Sequence, residues 1–359
     1  MKLATAYLGI GLLTLAGCSS EPAAASDETR NFRGEVRLDV CEGERGPELV
    51  RCGGDAAPGL IAAVCGDFAT QDRVTVNGSL AVGGQSRIAS PLRVSSCFTG
   101  FGGIRAESTE EVAGDLATAF DWVVDSAARV GANVLVGGKL HARNAVAVGG
   151  VLHAAAVDMT KVSASVVVDA MAPKNPLHCE LASQPSAIIS GLESATFVDL
   201  RDALAAHSEA ARVQLGCARY RFDSFGIDQE LTLHIKGHTL IVVDGNVRIA
   251  APLTVELEPD AQLDFLIGGA LEVNERLSFS KGTTWLAVGG ALSIAAPLEL
   301  DGTLYAPGSA VSSTKLSADK LANLLTVNGA LLVGSLSVAS PVAVSASSEP
   351  PLPACRRLE

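Results

Sequence analysis

The side chains best suited to acid–base chemistry in this 359-residue chain are the carboxylates Glu256, Glu258, Asp260 and Asp264, with Asp244 placed to join them from a preceding turn of chain. Two carboxyls held on one surface can divide the roles of general acid and general base, and glycosidic cleavage uses such a pair. The cluster is therefore the candidate catalytic site of a polysaccharide lyase or hydrolase. Against that, Glu256 and Glu258 alternate with Val255 and Leu257, as a solvent-facing pair on a strand does, and the plain surface reading is favoured. His141 and His153 each stand three residues after a glycine. Stacked on neighbouring turns they would share a metal, but the sequence offers no third ligand, so no metal and no other cofactor is expected. His234 and His238 flank Lys236-Gly237 and read as surface residues. The nucleophile elbow, the zinc-binding HExxH, the phosphate loop and the calcium nonapeptide are all missing from the sequence.

The elements that must carry these residues are written in a repeat. With Gly84, Gly245, Gly269, Gly290 and Gly334 aligned, the fourth residue on is Ile88, Ile249, Val273, Ile294 or Val338, and the eighth is Leu92, Leu253, Leu277, Leu298 or Val342. The tenth, Val94, Val255, Phe279, Leu300 or Val344, is again apolar. The third residue on is instead Arg87, Arg248, Glu272, Ser293 or Ser337. Alternation with period two marks strands with one buried face. Between the strands lie proline corners, Ala89-Ser90-Pro91, Ala250-Ala251-Pro252, Ala295-Ala296-Pro297 and Ala339-Ser340-Pro341, where a residue without an N–H fits a bend. The glycine marks a second bend, by positive φ or by close packing. Units of this kind bury their apolar face only against copies of themselves, which predicts a mainly β chain folded as a parallel β-helix or β-solenoid.

Two segments read as helical insertions. In 108–130, Val112, Leu116, Phe120, Val123 and Val124 fall near helical spacing, Ser108 is a candidate N-cap, and Glu110 and Glu111 occupy the first turn. In 198–215, Leu200, Leu204, Ala205, Ala211 and Leu215 form an apolar stripe. The expected organisation is a signal peptide at 1–17, an anchor and flexible tether at 18–33, and a first solenoid part at 34–158 containing the 108–130 helix. An insertion at 159–230 with the 198–215 helix, a second solenoid part at 231–345 and a proline-rich tail at 346–359 complete it.

The amino terminus explains how such a chain reaches its place of work. Lys2, an apolar run from Leu3 to Leu15 and the small pair Ala16-Gly17 form an export signal, and the run is shorter than the roughly 20 residues of a membrane span. Leu15-Ala16-Gly17-Cys18 resembles a bacterial lipobox, which implies acylation of Cys18 and, with Ser19 rather than Asp following, sorting to the outer membrane, on its periplasmic or outer face. Setting Cys18 aside leaves seven cysteines, an odd number. In an exported chain these form disulfides; the candidate pairs are Cys41 with Cys52, Cys65 with Cys97 and Cys179 with Cys217, while Cys355 is placed to staple the tail. The formal charge of −12 argues against a nucleic-acid partner, which needs clustered cations.

Asn77-Gly78-Ser79-Leu80-Ala81-Val82-Gly83-Gly84, with Val134 to Gly138 and Val146 to Gly150, resembles the choice-of-anchor A domains of bacterial surface and adhesin-like proteins. Leu240-Ile241-Val242-Val243-Asp244-Gly245-Asn246 and Gly302-Thr303-Leu304-Tyr305-Ala306-Pro307 are similar to β-solenoid domains of secreted and pilus-associated proteins and, more distantly, to bactofilins. These resemblances imply a non-catalytic structural or adhesive solenoid, held to the membrane by acylated Cys18, with a glycan, matrix or envelope protein as partner. The alternative is the carbohydrate-active enzyme using the acidic cluster.

Overall fold

A computed structural model describes residues 35–39, 60–169, 177, 185–192, 198–199, 212–314 and 324–346. Gly34–Glu359 forms one compact unit. Its described residues are strands stacked in parallel register, each coil laying three strands on three faces around an apolar lumen. The β-solenoid expected from the repeat is the fold.

The helix expected at 108–130 is not there. Glu110–Val112, Leu116–Thr118, Trp122–Val124 and Ala128–Val130 are four successive strands. The governing period is six rather than 3.6. Leu116, Trp122, Ala128, Val134, Leu140, Val146 and Leu152 recur every sixth residue and are buried, and so are Val112, Val124, Val130, Val136, Ala142, Val148 and Ala154 in the matching slot of each strand. Three such hexads close a coil of 18 residues, as the pairings Leu116 with Val134 and Trp122 with Leu140 show. Phe120, placed on the apolar side of the expected helix, is 62% exposed at a corner. Glu111 of the expected first turn points outward to Arg93 at 3.0 Å. The second expected helix fares similarly: Val198–Asp199 and Arg212–Gly216 are strands, and residues 200–211 lie outside the described residues. Among the described residues, helix is limited to Pro185–Gly191 and the single 3-10 turn Met159–Lys161.

Coils of the second half are longer. Leu231 pairs with Leu253, Val247 with Leu271 and Leu271 with Leu292, so the corners absorb the variation while the strands stay in register. The proline corners keep their ladder through the carbonyl: Pro91, Pro252, Pro297 and Pro341 accept from Val74, Leu231, Leu277 and Leu324. The glycine corners need glycine because the coils approach closely, and none of the five aligned glycines has positive φ. A Cβ on Gly269 would lie 2.6 Å from the Gly245 carbonyl oxygen, and one on Gly334 would lie 2.7 Å from that of Ser309. Positive φ is needed elsewhere, at Gly302 (140°) and Gly329 (156°), stacked on Thr284. A Cβ on Gly302 would strike the Thr284 carbonyl oxygen. Gly302→Ala combines that clash with a strained backbone and is expected to lower unfolding free energy by about 2 kcal/mol, measured by chemical denaturation.

The order of coils in space is not their order in sequence. The first half starts in the middle of the stack at Leu60–Val64 and runs outward to Val162–Val168. The second half starts at the far end with Arg212–Gly216, against which Glu35–Asp39 pairs, and runs back to the middle. There the halves share one coil. Val342–Ser345 lies between Leu325–Asn328 and Val74–Asn77 on one face, while Leu60–Val64 and Phe68–Thr70 continue that layer by pairing with Leu331–Val333 and Leu336–Val338 on the other two. A single lumen runs through the joint.

Candidate functional site

Stacking decides what the sequence-predicted acids can do, because each residue meets whatever the preceding coil places beneath it. Glu256 sits on His234 in the ladder and forms ion pairs with Arg212 (3.3 Å) and His234 (3.9 Å). Glu258 meets His234 at 3.4 Å and Lys236 at 3.5 Å. Asp244 accepts two hydrogen bonds from Arg221, at 2.8 and 2.9 Å. Asp264 is 1% exposed and lies 2.7 Å from His238 Nε2. Asp260 stands apart from these pairs on an exposed turn. The surface is thus a set of charge-paired rungs. Four of the five acids face a basic side chain on a neighbouring coil, so each carboxylate is engaged by a partner within the protein.

His141 and His153 are brought onto different faces rather than together. His141 is opposite Val123 and His153 opposite Leu135. Each has its own carboxylate, Asp121 at 3.8 Å and Asp169 at 3.1 Å. Among the described residues there is no group of three or more His, Cys, Asp or Glu able to hold a metal ion.

Of the cysteines, Cys65 and Cys217 are disulfide-bonded and Cys97 is a free thiol. No disulfide joins two described residues, and Cys18, Cys41, Cys52, Cys179 and Cys355 lie outside them. The pair Cys65 with Cys97 is therefore corrected. Val64 is stacked on Val82 and Phe98 on Leu80, so the two cysteines adjoin opposite ends of one face, beyond the roughly 7 Å that a disulfide can span between Cα atoms.

Two features escaped the reading of the sequence. Glu110 is fully buried in the lumen, its Oε2 accepting from Trp122 Nε1 at 3.2 Å and its Oε1 without a hydrogen bond. Burial pushes this carboxyl up to about 7, against partial relief from the indole. It occupies the inward slot six residues before Leu116, so counting in sixes would have found it. The second feature is an open groove of about 730 Å³ along one corner of the first-half coils, bordered by Asp67, Gly84, Gly102, Phe120, Asp121 and Gly138. Its signal is Phe120, which breaks a run of glycines spaced by one coil.

The helix Pro185–Gly191 covers a second apolar surface outside the lumen, where Ile189 and Leu192 join Leu240, Val242, Leu266, Trp285 and Tyr305. No helix among the described residues is long and apolar enough to cross a membrane. No curated protein and no solved structure matches the chain. Residues 187–349, from that helix through the strand that closes the shared coil, match the family described as Domain of unknown function (DUF7305), and they lie in a chain folded as a β-solenoid.

Proposed function

We propose that this protein is a lipid-anchored envelope protein of the bacterial outer membrane whose solenoid is non-catalytic and presents a binding surface to a glycan, matrix or envelope partner. The observation that carries the reading is the cysteine inventory. With Cys18 acylated in Leu15-Ala16-Gly17-Cys18 and Cys97 a free thiol, six cysteines remain, an even number, and Cys65 and Cys217 among them are disulfide-bonded. Disulfides belong to oxidising compartments, which agrees with export. The engagement of Glu256, Glu258, Asp244 and Asp264 with basic side chains supports a structural role for the acidic cluster. The resemblance to choice-of-anchor A and adhesin-like surface domains points the same way.

Two or more acyl chains hold a protein on a bilayer, whereas one binds only marginally. Cys18→Ser is expected to abolish incorporation of an alkyne-tagged fatty acid and to move the protein from the membrane fraction to the soluble fraction. Persistence of both label and membrane association in the variant overturns the anchor.

A further inference from the structure

The corner groove of the first half is built differently from every coil around it. The ladder of corner residues reads Gly66, Gly84, Gly102, Phe120, Gly138, one per 18-residue coil. Glycine is demanded there: a Cβ on Gly84 would lie 2.7 Å from the Gly66 carbonyl oxygen, and one on Gly102 would lie 2.6 Å from the Gln85 nitrogen. Gly84 and Gly102 also continue a backbone ladder, each N–H bonding to the glycine carbonyl one coil back. Phe120 leaves it. Its N–H turns to Thr118 Oγ1 at 3.4 Å, and the neighbouring Gly103 adopts φ 100°. The result is the only exposed Phe, Tyr or Trp ring among the described residues, 62% exposed, beside a floor of glycine backbone.

The next slot of the same corner holds Asp67, Gln85, Gly103 and Asp121 on successive coils. Asp67 Oδ1 accepts from Gln85 N and Asp121 Oδ1 from Lys139 N, both at 2.8 Å, which fixes the two carboxylates; Oδ2 of each lies outside the backbone ladder, that of Asp121 exposed and 3.8 Å from His141 Nε2. They stand three coils apart, about 14 Å at the usual strand spacing, roughly the length of a trisaccharide. Arg105 borders the groove, but its guanidinium is held by Glu107 at 3.1 Å and Asp125 at 3.0 Å. The fixed charge offered to a ligand is therefore negative.

We infer that this corner is a binding site for a short stretch of uncharged glycan. The negative face of the Phe120 ring attracts the polarised C–H groups of a pyranose; the glycine floor admits the flat sugar closely; Asp67 and Asp121 accept from its hydroxyls. The carboxylates, on a chain of formal charge −12, repel uronate or phosphate polymers. The site gives the surface module proposed above its ligand class and rests on that reading.

The test uses the full-length protein in detergent with maltohexaose, cellohexaose and chitohexaose as uncharged probes and hexagalacturonate as the anionic one, by isothermal titration calorimetry. At least one uncharged probe is expected to bind. Phe120→Ala is expected to weaken it tenfold or more and Phe120→Trp to preserve it, with thermal unfolding unchanged because the ring is exposed. Binding of no uncharged probe, equal binding in Phe120→Ala, or preference for hexagalacturonate overturns the site. A parallel pull-down of envelope material separates the two levels. Capture that survives Phe120→Ala, or that protease treatment of the envelope removes, leaves a binding module without this glycan site. Loss of all capture by the wild type removes both.

Discussion

Val344→Asp is expected to destabilise the protein by about 4 kcal/mol or more and to loosen both halves of the chain together. Val344 is 1% exposed, with Val327 stacked on one side and Val76 on the other. A carboxylate there has no partner in an apolar lumen. The location makes the effect diagnostic, because Val342–Ser345 is the second half's contribution to a coil whose other two faces come from the first half. Coils in a solenoid stabilise their nearest neighbours, so the shared coil transmits stability between the two stacks. Hydrogen exchange should show strands Val74–Asn77 and Leu60–Val64 losing protection along with Leu325–Val338, although they are remote in sequence. Unchanged protection at Val74–Asn77 alongside lost protection at Val342–Ser345 would show that the halves do not close on one another.

That joint marks where the sequence stops being legible. The repeat of strand, corner and glycine is local, and it predicted the solenoid from Gly84, Gly245, Gly269, Gly290 and Gly334. Which coil lies on which is non-local: nothing near Val342 or Val74 records that they pair. The 108–130 segment failed for a different reason. Leu116, Phe120, Val123 and Val124 satisfy helical spacing by accident, because strands of three residues separated by corners of three leave apolar residues at intervals of two, four and six. Only the longer count, from Leu116 through Leu152, distinguishes the two. The acidic cluster was legible as a solvent-facing row, but its partners were not. The separation from acid to base is 23 residues for Arg221 with Asp244 and 26 for His238 with Asp264, in each case two more than the register of the coil, because Arg221 stacks on Val242 and His238 on Gln262, and the coil length itself varies from corner to corner.

Glu110→Gln is expected to stabilise the protein in mildly alkaline solution while changing little in acid. The carboxyl ordinarily titrates near 4.5, and in the folded lumen burial raises it to about 7. Between those values the folded chain keeps a proton that the unfolded chain has released. Folding therefore binds protons, and stability falls as pH rises through the window from about 4.5 to about 7, levelling off above it. The shift corresponds to a loss on the order of 3 kcal/mol. Glutamine is neutral throughout, retains an oxygen for Trp122 Nε1, and has nearly the same shape. Its NH2 takes the place of Oε1, which has no hydrogen bond, and that orphan donor trims the gain to about 2 kcal/mol. Chemical denaturation at pH 5 and pH 8 checks both the sign and the window, since every other titrating group is common to the two proteins and cancels in the difference. A variant equally destabilised at both pH values would show that Glu110 is charged in the lumen and held by contacts the amide cannot replace; a gain confined to pH 8 assigns the proton to the folded state.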